Sequence, residues 1–143
     1  MNATRAKRQV SGWMLTACGG WLIAVGVYFI FVRPALLPED VRFMGAALTQ
    51  IRVAVPGLEG WLRHVFTVMG GFMASAGVLA VFVGSVVMPT RPTGATWVIA
   101  LSGVLGVALM SATNIALHSD FMWLLLLPAL AWFAALGAYM AGR

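Results

Sequence analysis

The chain has 143 residues, of which 62% are hydrophobic and 9% charged, and its mean hydropathy is +0.95. A soluble domain carries about 25% charged residues, so this composition excludes an ordinary soluble protein and favours one surrounded by lipid. The net charge is +5, but the nine Lys and Arg residues are scattered along the chain. That distribution argues against nucleic acid as a partner and fits the flanks of membrane spans.

Charged residues divide the chain into uncharged segments, and four of these are long enough to cross a membrane. Four runs contain no charged side chain: residues 9–32, 65–90, 92–117 and 121–142. About 20 helical residues cross the hydrocarbon core, and backbone groups in lipid must be hydrogen-bonded internally. We therefore predict an all-α fold, a single integral membrane four-helix bundle over residues 1–143. The predicted spans lie at about 11–32, 62–88, 95–117 and 120–141.

The placement of basic residues predicts the orientation. With four spans, one side holds both termini and five basic residues: Arg5, Lys7, Arg8, Arg91 and Arg143. The other side holds four arginines in a longer loop: Arg33, Arg42, Arg52 and Arg63. Because basic residues in short flanks stay in the cytoplasm, we predict a multi-pass inner (plasma) membrane protein with both termini cytoplasmic. The loop over residues 33–61 is then extracytoplasmic.

Within that loop, the stretch PALLPEDVRF (residues 34–43) holds half of the acidic residues of the chain, Glu39 and Asp40. Pro38 suits the first position of a helix, and the helix dipole favours the two carboxylates in the first turn. Apolar residues follow at helical spacing: Val41, Met44, Leu48, Ile51 and Val55. We predict a short amphipathic helix over residues 38–52, which lies on the membrane surface or forms a lid over the bundle.

Small residues are expected to bring the spans together, because lipid tails are as apolar as leucine side chains. Two pairs have the small-xxx-small spacing that is typical of close helix contact: Gly71 with Ser75 and Ser102 with Gly106. The single cysteine, Cys18, lies in an apolar run and is interpreted as a buried structural thiol.

Polar residues gather where the spans meet the predicted extracytoplasmic side: Glu39, Asp40, Arg42, Arg63, His64, Asn114, His118 and Asp120. They could line a polar entrance that binds a ligand. One of the two loop carboxylates is then expected to reach a basic side chain of the bundle: Arg63, His64 or His118. The alternative is a hydrogen-bonded cap that only ties the loops together, with Asp120 capping the fourth span.

Motifs that carry catalysis or bind metal were sought along the whole chain. The sequence has no Walker loop, no H-E-x-x-H and no C-x-x-C, and two histidines with one cysteine cannot make an ordinary structural zinc site. A haem held by His64 and His118 is a minor alternative. We expect no catalytic residue, metal or cofactor, and the ligand could be a bound lipid or quinone.

The second span, WLRHVFTVMGGFMASAGVLAVFV, resembles the second helix of the DoxX-like group of small four-helix bacterial membrane proteins. In that group an arginine enters the helix, a paired glycine follows about two turns later, and a further glycine lies beyond. The matching residues are Arg63, Gly70 with Gly71, and Gly77. The resemblance implies a four-helix fold more than an activity, because members range from respiratory accessory subunits to uncharacterised proteins.

Three functions are compatible with the sequence. The first is a small non-catalytic inner-membrane accessory or assembly protein that acts through helix and loop contacts, in a larger membrane complex or a homo-oligomer. The second is a binding protein for a lipid, quinone or other apolar molecule in a pocket under the 38–52 helix. The third is a membrane enzyme that uses acid–base residues at the extracytoplasmic entrance. Membrane lipid is an expected partner in each case.

Overall fold

The computed structural model describes the backbone of residues 3–142 and the side chains of residues 9–142. This part of the chain is 84% helical and contains no strand, which confirms the all-α prediction. Four helices within it are long and apolar enough to cross a membrane. The side chains of Arg5, Lys7 and Arg8, and the whole of Arg143, on which the predicted orientation depends, lie outside the described residues.

Two short helices lie in the loop between the first two membrane helices. In chain order the helices are α1 (Ala3–Phe31), α2 (Pro38–Met44), α3 (Leu48–Ala54), α4 (Leu58–Thr90), α5 (Ala95–Ala116) and α6 (Met122–Ala141). Each of α4 and α5 contains one wider π turn, at Val83–Val87 and Val104–Ala108 respectively. We call the end of the membrane helices that carries α2, α3 and the α5–α6 connection the loop end.

The membrane helices pack side by side in the order α4, α1, α6, α5. Helix α1 contacts α4 and α6, and α6 contacts α1 and α5. Helices α4 and α5 follow one another in the chain but are not extensive packing partners. Only 22–33% of the most apolar part of each span is buried inside the protein. Most of each span is therefore available to lipid.

Six glycines bring the backbones of α1 and α4 into direct contact. They pair across the antiparallel helices at intervals of seven residues: Gly12 with Gly84, Gly19 with Gly77, and Gly26 with Gly70. A Cβ built on Gly19 would lie 2.7 Å from the carbonyl oxygen of Gly77. The reciprocal distance, from Gly77 to the carbonyl oxygen of Gly19, is 2.6 Å. No side chain fits at these six positions, which we call the glycine seam.

The two small-residue pairs expected to bring helices together face outward instead. Gly71, Ser75, Ser102 and Gly106 are exposed, and a Cβ built on Gly71 or Gly106 would meet nothing within 4 Å. The prediction is wrong at these positions because a four-residue spacing does not show which side of a helix meets a partner. The seven-residue spacing of the glycine seam repeats one helix face more consistently.

Large side chains, rather than glycine pairs, join α5 to α6. Trp132 is buried, and its indole Nε1 donates to the carbonyl oxygen of Ile99 at 2.9 Å. Gly103 leaves room for this ring, because a Cβ there would lie 2.5 Å from the same nitrogen. The buried Ser111 hydroxyl of α5 lies 2.9 Å from the carbonyl oxygen of Leu125 in α6.

The buried thiol of Cys18 supports the contact between α1 and α6. Its Sγ lies 3.6 Å from the carbonyl oxygen of Pro128, to which it donates. The side chain is 3% exposed. These observations agree with the interpretation of Cys18 as a structural residue.

Candidate functional site

The segment predicted as one helix over residues 38–52 forms two helices. Gly45 ends α2 with φ +67°, in the left-handed region that glycine adopts without a steric penalty. Helix α3 then begins at Leu48. The single-helix prediction is wrong because the helical spacing of apolar residues continues across a glycine that turns the chain.

The inward side of this segment also differs in part from the prediction. Ile51 is buried, and Val41 and Leu48 are half-buried. Met44, which was expected to point inward, is 43% exposed. The change of direction at Gly45 separates the apolar faces of α2 and α3, so they do not form one continuous stripe.

Arg33 fixes α2 to the ends of two membrane helices. Its side chain is 8% exposed, and Nη2 donates to Oδ2 of Asp40 at 3.1 Å. The guanidinium carbon lies 3.7 Å from the ring centre of Phe66 in α4 and 5.3 Å from that of Phe29 in α1. An aromatic face attracts a cation at these distances. The same Asp40 oxygen accepts the backbone N–H of Leu37 at 2.8 Å, which supports the first turn of α2.

Glu39 fixes α2 to the connection between α5 and α6. Its Oε2 accepts the hydroxyl of the buried Ser119 at 3.0 Å and the backbone N–H of Asp120 at 2.8 Å. Arg42, one turn further along α2, donates from Nη2 to Oδ1 of Asp120 at 2.9 Å. We call α2, together with Arg33, Ser119 and Asp120, the loop cap.

The contacts expected for the two loop carboxylates are made with other partners. Within the described chain, neither carboxylate pairs with a residue of the predicted set: Arg63, His64 or His118. Helix geometry explains the position of His64. It follows Leu62 by two residues, a rotation of about 200° around α4, and Leu62 faces the space beside α2 together with Leu58 and Phe66.

The predicted site residues thus divide into two sets. The structure brings together four of them in the loop cap: Glu39, Asp40, Arg42 and Asp120. In the described chain, the side chains of the other four make no hydrogen bond or ion pair with the loop cap: Arg63, His64, Asn114 and His118. His64 Nδ1 lies 2.8 Å from the carbonyl oxygen of Gly60 in its own helix, and Asn114 donates to Met110 in its own helix. Arg63 and His118 are exposed.

A groove of about 240 Å³ lies beside α2, between the beginning of α4 and the end of α5. Eight of its lining residues are apolar: Ala35, Leu36, Phe43, Met44, Leu58, Leu62, Phe66 and Leu117. The other two are Glu39 and Asp40. Helix α3 contributes no lining residue, so the groove corresponds to only the first half of the predicted 38–52 helix.

Four residues whose side chains hold the loop cap are missing from the sequence-based prediction of the site: Arg33, Phe29, Phe66 and Ser119. An arginine just after a span is usually interpreted as an interfacial anchor. The position of Arg33 in the sequence therefore did not indicate that it belongs to the site. Its partners lie in three helices, α1, α2 and α4, and depend on how these helices pack. Ser119 lay between two predicted residues, and its burial between α2 and α6 could not be inferred from its polar side chain.

The groove can hold an apolar chain next to carboxylate oxygens, and its lining includes no histidine. Among the described residues, no group of three or more His, Cys, Asp or Glu side chains could hold a metal ion. The haem alternative would require His64 and His118, and both are exposed. Comparison of the chain with protein-family models, with curated proteins and with solved structures finds no match.

Proposed function

We propose that this protein is a non-catalytic membrane protein that binds the hydrocarbon chain of a lipid or quinone in the groove beside α2. The observation that carries the proposal is the lining of the groove, with eight apolar side chains and two carboxylates. A volume of about 240 Å³ is smaller than the roughly 300–1,000 Å³ of sites that enclose whole small molecules. One chain, or part of it, therefore suits the groove better than a complete ligand.

The position of the groove supports a ligand that comes from the membrane. Trp61 lies in the first turn of α4 and Trp123 in the first turn of α6, and both rings are exposed at the loop end. Exposed tryptophans prefer the level of the lipid headgroups. Leu58 and Leu62 of the groove lie on the same first turns of α4 as Trp61. A lipid tail could enter the groove without leaving the bilayer.

An enzymatic role has less support from the geometry. Glu39 and Asp40 each accept two hydrogen bonds from the protein, and both histidines lie outside the groove lining. A general acid or base must reach the reacting group within hydrogen-bond distance. The carboxylates are better suited to hold the loop cap and contact a bound headgroup.

We also propose that the spans cross the inner (plasma) membrane and that both termini lie in the cytoplasm. The groove then opens on the other side of the membrane. The basic residues near the termini support this orientation. Cysteine labelling with an impermeant reagent from outside should modify a probe at position 50 and spare one at position 91. Labelling only at position 91 would reverse the topology.

An accessory or assembly role is a second candidate, favoured by the packing order of the helices. Helix α5 packs on α6, and α4 packs on α1, so α4 and α5 both present long surfaces to their surroundings. Small residues such as Gly71 and Gly106 lie on those surfaces. Protein that co-purifies in mild detergent would favour this role.

The DoxX-like resemblance stays a prediction. Of the residues that carry it, Gly70 and Gly77 belong to the glycine seam.

Photocrosslinking tests the binding proposal directly. The protein is reconstituted into nanodiscs that contain a lipid with a diazirine in its acyl chain, and labelled residues are identified by mass spectrometry. We expect preferential labelling of groove residues such as Phe43 and Leu62. The variant Ala35→Trp, which fills the groove, should remove this preference, whereas Leu79→Trp on the exposed side of α4 should leave it. Even labelling along all spans of the wild type would contradict the proposal.

A further inference from the structure

One carboxylate at the loop end is not neutralised by a basic side chain. The four acidic residues of the chain all lie at this end, and three of them form ion pairs: Asp40 with Arg33, Asp120 with Arg42, and Glu59 with Arg52. In the part of the chain that the structure describes, the fourth, Glu39, accepts hydrogen bonds only from the neutral hydroxyl of Ser119 and the backbone N–H of Asp120. Both of those bonds go to Oε2. Within the described chain, Oε1 of Glu39 makes no hydrogen bond.

Glu39 also lies on the wall of the apolar groove. The pair of Arg42 and Asp120 is neutral as a whole, as is that of Arg33 and Asp40, so within the loop cap the carboxylate of Glu39 leaves one negative charge unbalanced. Arg63, the remaining arginine of the loop end, is exposed on α4 and forms no ion pair in the described chain. An anionic headgroup would be repelled from this position, and a cationic one attracted. The attraction is stronger than in bulk water because the groove wall is apolar and half-buried. An ammonium group could donate a charge-assisted hydrogen bond to the free oxygen.

A cationic group that can bind a phosphate, the guanidinium of Arg42, follows Glu39 in α2. Arg42 is one helical turn beyond Glu39, its side chain is 59% exposed, and only Nη2 is engaged with Asp120. Its remaining N–H groups can face solvent or a headgroup. A carboxylate on the wall of the groove and an arginine one helical turn beyond it match a headgroup that carries both an ammonium and a phosphate.

We propose that the groove selects a phospholipid whose headgroup ends in an ethanolamine ammonium. One acyl chain lies in the groove, the ammonium meets Glu39, and the phosphate lies near Arg42. This inference rests on the proposed function and adds the headgroup that the site prefers. It requires no covalent step.

Lipid competition in nanodiscs tests the inference. Nanodiscs contain equal amounts of phosphatidylethanolamine and phosphatidylglycerol with identical acyl chains, and lipid retained by the protein after transfer to detergent is measured by native mass spectrometry. We expect about tenfold enrichment of phosphatidylethanolamine, as one charge-assisted hydrogen bond would provide. Glu39→Gln should reduce the enrichment to nearly none. Glu59→Gln, in an ion pair outside the groove lining, is the matched control and should retain it.

A second measurement leaves the protein unchanged. Phosphatidylethanolamine that is N-acetylated has no ammonium charge, and wild-type protein should retain it no better than phosphatidylglycerol. Equal retention of all three lipids, with crosslinking still concentrated in the groove, would overturn the headgroup inference and leave the proposed function standing. Loss of enrichment in Glu59→Gln to the same extent as in Glu39→Gln would also overturn it. Crosslinking spread evenly along the spans would reject the proposed function itself.

Discussion

The glycine seam excludes side chains from the contact between α1 and α4, whereas the loop cap is built from charged side chains. In the seam, a Cβ on any of three facing pairs would lie within 2.8 Å of the opposite helix. In the cap, Arg33 pairs with Asp40 and Arg42 pairs with Asp120. The two regions come close at the end of α1, where Gly26 of the seam and Arg33 of the cap are seven residues apart.

The difference follows from the solvent around each region. Lipid tails offer apolar side chains the same environment as a neighbouring helix, so helices gain by approaching closely and increasing van der Waals contact. At the level of the headgroups water is present, so charged residues are tolerated, and they are stabilising where they are paired and partly buried. Four predictions test this comparison.

The largest effect is expected in the glycine seam. Gly19→Ala combined with Gly77→Ala should lower the free energy of unfolding by about 3 kcal/mol, because each added methyl would overlap the facing backbone. Unfolding by sodium dodecyl sulfate in mixed micelles measures the change. Gly20→Ala with Gly71→Ala is the control, since a Cβ at either position would meet nothing within 4 Å. Equal losses in both variants would mean that close backbone contact does not hold α1 to α4.

Arg33 should be the most sensitive residue of the loop cap. Arg33→Met removes the cation from the rings of Phe29 and Phe66 and leaves Asp40 without its ion-pair partner. We expect a loss of about 2 kcal/mol, measured by thermal unfolding in detergent. Proteolysis should also cut the α1–α4 loop more rapidly. A variant as stable as the wild type would show that α2 is held without Arg33.

Substitution of Trp132 tests whether a large side chain can join two helices in lipid, as close glycine contacts join α1 and α4. Trp132→Phe keeps most of the ring but loses the N–H that donates to Ile99. A loss of about 1 kcal/mol is expected, by the same micelle titration. Trp97→Phe is the control, because Trp97 is 80% exposed. If both substitutions have the same effect, the hydrogen bond between α5 and α6 contributes nothing measurable.

The smallest effect is expected for Arg52, which pairs with Glu59 at 2.9 Å. Both side chains are well exposed, at 57% and 38%, so Arg52→Met should cost about 0.5 kcal/mol or less. Raising the salt concentration to about 0.5 M should remove the difference from the wild type, because salt screens exposed charges. A loss as large as that of Arg33→Met would mean that burial does not distinguish the two ion pairs.

The sequence showed that polar residues gather at the loop end, but it did not show which of them meet in the folded protein. Glu39, Asp40, Arg42 and Asp120 do meet, as their position near the ends of the spans suggested. Their neighbours His64 and His118 have the same polarity and a similar place in the chain, yet in the described chain their side chains make no hydrogen bond or ion pair with these four residues. For His64 the angle at which the side chain projects from α4 decided the outcome, and that angle matters only relative to the packed neighbour.

The sequence by itself determined that the chain is all-α and has four membrane-length helices. Hydropathy and span length are local properties, and lipid requires every backbone group to be bonded within its own helix. The seven-residue glycine repeat was also present in the sequence, but only the packed helices show that Gly19 faces Gly77 while Gly20 and Gly71 face outward. Likewise, the partner of Arg33 was decided by the tertiary structure, because Phe66, Phe29 and Asp40 reach it from three different helices. Such contacts depend on the rotation and order of the helices, which no local pattern along one span specifies.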